Sequence, residues 1–306
     1  MTDGTPRVGI YLGTAAIPAV DAFASWLGRG QLDATDYTDP ADAESDQADA
    51  NGAAWTPVMS DRWGGWAAAA PDADNRRFIL GLPLTPKPDG SLAEVAAGLH
   101  DGLFDATAAA LVAHGLTDTV VRLGYEPNNP GIGPWHGTTD PAVYRAAFRR
   151  AVFVLRSVTG GRFTVELDQA VGPAGAATSF DVLYPGDDVV DIVGLNIYDV
   201  WWGTTASPAE RWTYIHDRPM GIADFLAFAG HLGKPLAFPE WGLYRPGDPY
   251  HGGGDNPDFI TRMADLFTSS NAVFQSYFAA DWGGGTLDDF PTGKAAYRAA
   301  FGAAGG

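Results

Sequence analysis

Apolar residues along this chain alternate with polar ones in short runs, and between those runs apolar positions recur every three or four residues. The first pattern belongs to strands whose two faces meet different surroundings, the second to amphipathic helices. Strand-like runs begin at Val8 (VGIYL), Ala34 (ATDYT, the least regular), Arg77 (RFILGLPL), Val120 (VVRLGYE) and Arg162 (RFTVELD). Three more begin at Asp191 (DIVGLNIYD), Leu236 (LAFPE) and Ala272 (AVFQSYFAADW). Helical spacing fills Leu92 to His114, Pro141 to Val158, Ile222 to Leu232 and Pro257 to Ser269, and TTDP and DNPD supply start signals before two of these. Eight alternations of strand and helix in 306 residues predict the α/β class and a single (β/α)8 TIM barrel, one domain over 1–306 with no dividing linker.

Each barrel strand is covered by helices outside and packed against other strands inside, so parity along a strand predicts facing. Val8, Ile10 and Leu12 oppose Gly9, Tyr11 and Gly13; Phe163, Val165 and Leu167 oppose Thr164, Glu166 and Asp168. Val193, Leu195 and Ile197 likewise oppose Gly194, Asn196 and Tyr198. In the fourth strand this rule turns Val121, Leu123 and Tyr125 toward the helices and Arg122, Gly124 and Glu126 toward the axis. A carboxylate buried there needs a reason, because without partners it destabilises the fold or takes up a proton. The reason is either a buried ion pair, with Arg122 and Glu166 also inward, or chemistry, since barrel enzymes keep their reactive groups at the C-terminal ends of the strands.

A second glutamate favours chemistry. GKPLAFPEWG ends the seventh strand with Glu240, in register with Leu236 and Phe238, so two of only six Glu residues close strands four and seven. Strand ends converge on one rim, and paired carboxylates there are the equipment of glycoside hydrolysis: one protonates the leaving oxygen, the other attacks the sugar carbon or activates water. Trp135, Trp241, Trp282, Tyr198 and Tyr11 lie at or just past strand ends, where flat rings can stack on sugars. Arg122, Asn128 and Asn196 complete the candidate binding residues.

Composition narrows the partners. The net charge of −18 argues against nucleic acid and anionic membrane, and a neutral polysaccharide or oligosaccharide suits it better. Cysteine is absent, which excludes disulfides and thiolate chemistry. The six histidines form no spaced metal set, glycine-rich fragments lack a phosphate-loop context, and no G-x-S-x-G elbow occurs, so no metal and no cofactor is expected. HGGGDN, His251 to Asn256, resembles one glycine-rich calcium turn, and a single copy reads as a loop. No leader or membrane span is visible in the chain; a secreted monomer whose leader is absent from this sequence is the expected form, with a cytoplasmic one the alternative.

The segments VVRLGYEPNNPGIGPW, DIVGLNIYD, GKPLAFPEWGL and FAADW together resemble glycoside hydrolase family 26, retaining two-Glu barrels best known as β-mannanases and including xylanases and β-glucanases. The resemblance covers most of Val8 to Trp282. It implies Glu126 as acid/base, Glu240 as nucleophile, Tyr198 as hydrogen-bond donor to that nucleophile and Trp282 as a lining of the subsite for the cleaved sugar. Mannanases of the family carry His before the acid/base where this chain has Tyr125, a departure that bears on mannan specificity. The resemblance further implies retention, with carboxyl groups roughly 5 to 5.5 Å apart. Glu126 is expected to hold its proton through burial and the charge of Glu240, while Tyr198 and Arg122 keep Glu240 ionised. The alternative is a catalytically inactive carbohydrate-binding barrel, and reducing-sugar release from β-glycans separates the two.

Overall fold

A computed structural model of the chain describes residues 6–38, 58–70, 76–85, 90–200, 206–247, 250–280 and 284–303. Eight strands close into a barrel: β1 (Arg7–Tyr11), β2 (Leu32–Tyr37), β3 (Arg76–Leu82), β4 (Val120–Leu123), β5 (Thr164–Ala170), β6 (Ile192–Tyr198), β7 (Leu236–Gly242) and β8 (Phe274–Phe278). Each pairs parallel with the next, and β8 returns to β1 in a register that places Gly9 beside Ser276. The strands lie where the alternation predicts them, ATDYT included.

Between them run α1 (Ile17–Leu27), α2 (Val58–Ala68), α3 (Leu92–Ala96), α4 (Asp101–Ala113), α5 (Pro141–Ser157), α6 (Pro208–Asp217), α7 (Ile222–Leu232) and α8 (Pro257–Ser269), with α9 (Pro291–Phe301) after β8. The side chain of Asp140 accepts from the backbone N–H groups of Ala142 and Val143, each at 3.1 Å, and Pro141 begins α5 where its missing N–H costs nothing. Tyr144, Ala147, Phe148, Ala151 and Leu155 then form the buried stripe of that helix. The stretch Leu92 to His114, expected as one helix, is two: Gly98 takes φ +82 and ends α3, a left-handed step that only glycine makes cheaply. Helices α1, α2, α6 and α9 complete the ring without having been singled out in the sequence. None of the helices among the described residues is long and apolar enough to cross a membrane.

Outward residues of the strands, among them Val121, Leu123, Val165, Leu167, Leu195 and Ile197, join the core between sheet and helices. The inward residues divide by height along the axis. At the N-terminal ends Ile79, Val120, Ile192, Ala237 and Phe274 form a dry plug. Two residues higher in β4, β5 and β6 the interior turns polar, with Arg122, Glu166, Asp168 and Asn196 all buried. An apolar floor under a charged layer lowers the local dielectric, so every charge above it needs a partner within reach.

Candidate active site

Strand β4 stops pairing at Leu123, three residues before Glu126. Gly124 has φ +56 and Glu126 itself φ +49, a left-handed backbone that a side-chain-bearing residue adopts at a cost of order 1 kcal/mol. The strict alternation predicted from the sequence therefore ends at Gly124, with a consequence for Tyr125. Expected against the helices, Tyr125 instead faces the cleft: its ring lies 5.2 Å from that of Tyr37 and 5.1 Å from that of Trp135. Trp135 holds this turn by donating its indole N–H to the Tyr125 carbonyl at 2.9 Å. Asn128 does the same on the other side, donating to the carbonyls of Ala170 and Gly172 at 2.8 and 2.9 Å and accepting from the Ala170 N–H at 2.8 Å. Both residues line the cleft, but the polar atoms of Asn128 are spent on fixing the loop after β4 to the end of β5.

The Glu126 carboxylate receives two amide donors, Asn129 Nδ2 at 2.8 Å and Asn196 Nδ2 at 2.9 Å. Burial drives its pKa up to about 7, the negative charge of Glu240 adds to the rise, and the two amides oppose it. The group thus keeps its proton at mildly acidic pH, where an ordinary carboxylate would have lost it.

Glu240 reaches the same rim by a different device. In β7 Phe238 lies beside Gln275 of β8 and Trp241 beside Tyr277, three steps against two, so β7 carries one extra residue at Pro239 and Glu240. Without that bulge Glu240 would share the facing of Leu236 and Phe238, as its spacing predicts; Phe238 packs outside on Phe225 and Phe267. With it, Glu240 turns inward, and its carboxylate accepts from Tyr37 Oη at 2.6 Å, Tyr198 Oη at 2.7 Å and Arg122 Nη2 at 3.3 Å. Burial holds both phenols above their ordinary range, which keeps them neutral donors.

Arg122 is the hub beneath. It also bonds Tyr37 Oη, Asp168 at 2.7 Å and Asn196 Oδ1 at 3.3 Å, and Glu166 lies 3.6 Å from its Nε. Asn196 joins the two halves, donating to Asp168 at 2.6 Å as well as to Glu126. The ion pair and the carboxylate pair posed as alternatives in the sequence are thus both present, in two layers: Arg122, Glu166 and Asp168 below, Glu126 and Glu240 above. Burial, followed by the charge of Asp168, pushes the Glu166 carboxyl well above its usual range against the pull of Arg122.

Above this layer opens a cleft of about 720 Å³ that contains Tyr11, Trp135, Asn196, Tyr198, Glu126 and Glu240 of the predicted set in its wall. Arg122 is buried behind it. Trp241 is not there: fully buried, it packs on Phe267, Tyr277 and Tyr297 and donates its indole N–H to Gln275 at 2.6 Å. Being next to the inward Glu240, it must face outward, so Trp241 is a core residue rather than a sugar platform. Trp282 lies outside the described residues. The sequence reading passed over Tyr37, Asn129, Asp168 and Phe278 as site residues. Gly81 held a clue to the first, since a Cβ there would come within 2.3 Å of the Tyr37 ring. HGGGDN proves to be a clasp: Arg211 donates to the His251 carbonyl at 2.9 Å and to Asp199 at 2.7 Å, and Asn256 Nδ2 donates to Asp199 at 2.7 Å. Among the described residues no group of His, Cys, Asp or Glu is arranged to hold a metal.

Eight parallel strands closed into a barrel define the architecture. Three solved structures illustrate the likeness of fold. An endo-β-1,4-mannanase from Cellulomonas fimi is 18% identical, with a TM-score of 0.62 over 95% of this chain and 70% of that one. A glycoside hydrolase family 26 β-mannanase from Bacteroides ovatus is 14% identical, with a TM-score of 0.60 over 96% of this chain and 90% of that one. The YdhT protein from Bacillus subtilis is 11% identical, with a TM-score of 0.61 over 92% and 82% of the two chains. Solved family 26 mannanases are therefore among the structural neighbours, at the level of the fold. No protein-family profile matches the chain, and no curated protein matches it.

Proposed function

We propose that the chain is a family 26-type glycoside hydrolase that cleaves β-linked polysaccharide or oligosaccharide, of β-mannan, xylan or β-glucan type, with retention of configuration. The observation that carries this reading is the opposition of two carboxyls on one rim. Glu240 accepts from two phenols and a guanidinium, while Glu126 is held proton-bearing by burial and by its neighbour's charge. That is the division of labour a double displacement requires.

In the first step Glu240 attacks the anomeric carbon as the glycosidic C–O bond breaks, and Glu126 gives its proton to the departing oxygen. A glycosyl ester on Glu240 and a free alcohol result. As the ester replaces the carboxylate, the negative charge on Glu240 disappears and Glu126, now ionised, is relieved of that repulsion. It takes a proton from water, whose oxygen attacks the anomeric carbon from the vacated face and frees Glu240. The net reaction adds one water across one glycosidic bond. The fold likeness to solved mannanases supports the substrate class, and the half-buried rings of Tyr125 and Tyr198 in the cleft wall offer faces for sugar rings, while Tyr11 and Trp135 are buried behind them. We take the domain to span 1–306 and the enzyme to act as a secreted monomer, since such polymers are degraded outside the cell.

Reducing-sugar release from mannan, xylan and β-glucan, followed by proton NMR of the first product formed, tests the proposal. The expected product keeps the β-anomer; initial formation of the α-anomer would show that water attacks directly and that Glu240 is a base. Absence of turnover on every β-glycan would return the barrel to a binding role.

A further inference from the structure

Among the described residues, Arg218 is the only cationic side chain in the wall of the cleft. In a chain of 37 acidic and 19 basic residues, arginines readily find carboxylates, as Arg149 does with Asp188, Arg162 with Asp118 and Arg245 with Asp289. Among the described residues Arg218 is paired with no carboxylate. It follows the last turn of α6, where a cation suits the helix dipole, but its guanidinium lies over the ring of Tyr214, with Cζ 4.7 Å from the centroid.

The guanidinium also adjoins Gly172. A Cβ at that position would come within 2.7 Å of Arg218 Nη2, so the space is kept by the lack of a side chain. Gly172 is itself fixed: φ is +105, its N–H donates to the Met220 carbonyl at 3.0 Å, and its carbonyl accepts from Asn128 at 2.9 Å. Asn128 lies two residues beyond Glu126, so the same backbone tie that positions the acid/base loop positions the pocket around Arg218. The result is a planar cation held over an aromatic ring and beside a fixed backbone in the wall of the cleft, and among the described residues its guanidinium donates no hydrogen bond.

We propose that Arg218 forms a subsite for a carboxylate-bearing sugar, a uronic acid carried by the glycan on the Glu126 side of the cleft. The inference rests on the glycoside hydrolase reading and narrows its substrate. A guanidinium presents two parallel N–H groups that match a carboxylate, whereas neutral hydroxyls use it as single donors. The surrounding charge of −18 would repel a polyanion, so the fitting substrate is a neutral main chain with isolated acidic units rather than a polyuronide.

The test uses two matched pairs: xylo-oligosaccharides with and without a glucuronic acid branch, and manno-oligosaccharides with and without oxidation of C6 to the carboxylate. The expected result is a higher kcat/KM for the acidic member of at least one pair. In Arg218→Met that acidic-to-neutral ratio should fall roughly 10- to 100-fold, mostly through KM, because the contact is made equally in ground and transition states. Arg218→Lys should recover only part of the ratio, since an ammonium cannot make the forked contact. Equal losses on both members, or no acidic preference in the unaltered protein, would overturn the proposal. Calorimetric binding of the same oligosaccharides to Glu240→Gln separates the two readings: tighter binding of the acidic member, with no turnover of either member by the unaltered protein, would sustain Arg218 and sink the hydrolase, and equal binding would sink Arg218 whatever the turnover.

Discussion

The two sides of the cleft mouth hold the same functional group in opposite company. On the β7 side Glu240 is met by hydroxyl and guanidinium donors, two of them closer than 2.8 Å. On the β4 side Glu126 has only two neutral amides, and its charged neighbours, Glu240 and Asp168, are of its own sign. Solvation does not separate them, since both are largely withdrawn from water. What separates them is Arg122, which is spent on the β7 side and on Asp168, while among the described residues no cation reaches Glu126. In the mechanism proposed above, that one buried arginine placed off-centre suits Glu240 to attack and Glu126 to give a proton.

Removing each carboxyl in turn tests that contrast most severely. Glu240→Ala should lower kcat on every substrate by about four orders of magnitude or more, because no glycosyl ester can form. Glu126→Ala should discriminate by leaving group. Loss on the polysaccharide should be about 10²- to 10⁴-fold, while an aryl glycoside with a good leaving group should still form the intermediate in a burst and then stall. Azide should release that stall as a β-glycosyl azide. Equal losses on both substrates with no azide effect would make Glu126 a structural partner of the charged layer.

A third measurement reads the same asymmetry as stability. A carboxyl raised from 4.5 to about 7 binds its proton more tightly in the folded state. The fold therefore loses stability as pH rises from about 4.5 to 7, by up to about 3 kcal/mol, and the cost stays constant above that. Glu126→Gln should unfold at a higher temperature than the unaltered protein at pH 8, and the gain should vanish below pH 4.5. An equal gain at both pH values would mean that the charge of Glu126 is not what costs stability.

The smallest effect sharpens the comparison by trimming donors. Asn129→Leu removes an amide that favours the ionised form, so the alkaline limb of kcat/KM, which falls as Glu126 loses its proton above about pH 7, should move to higher pH by under about one unit. Tyr37→Phe and Tyr198→Phe act on the other carboxyl and should each lower kcat by roughly tenfold through lost charge-assisted hydrogen bonds. Movement of the Asn129→Leu limb to lower pH would contradict the assigned direction of that hydrogen bond.

The strands and the inward facing of Arg122, Glu166, Asp168 and Asn196 were legible in the sequence because a covered barrel strand repeats every two residues. That legibility fails where the backbone departs from the repeat. Gly124 turned Tyr125 into the cleft, and the bulge in β7 gave Glu240 a facing opposite to that of Phe238. Trp241 was placed on the rim by proximity in sequence to a candidate carboxylate, yet in a strand the immediate neighbour of an inward residue looks outward. Tyr37 was missed for another reason: β2 carries Asp33, Thr35 and Asp36 among its buried residues, each bonded to a partner from elsewhere in the fold, so its alternation of apolar and polar is blurred.

The bulge in β7 also sets a height. Along a strand each residue advances about 3.3 Å, but three residues of β7 climb only as far as two of β8, so the extra one keeps Glu240 about 3.3 Å lower than a regular strand would carry it, within reach of the phenols of Tyr37 and Tyr198. Pro239, inside the bulge, has no N–H to give a regular ladder, and a slip that ironed the bulge flat would find no bond waiting there. The proline acts as a stop on the strand's sliding, and the reach of Glu240 is fixed by a count of residues before it is refined by any contact.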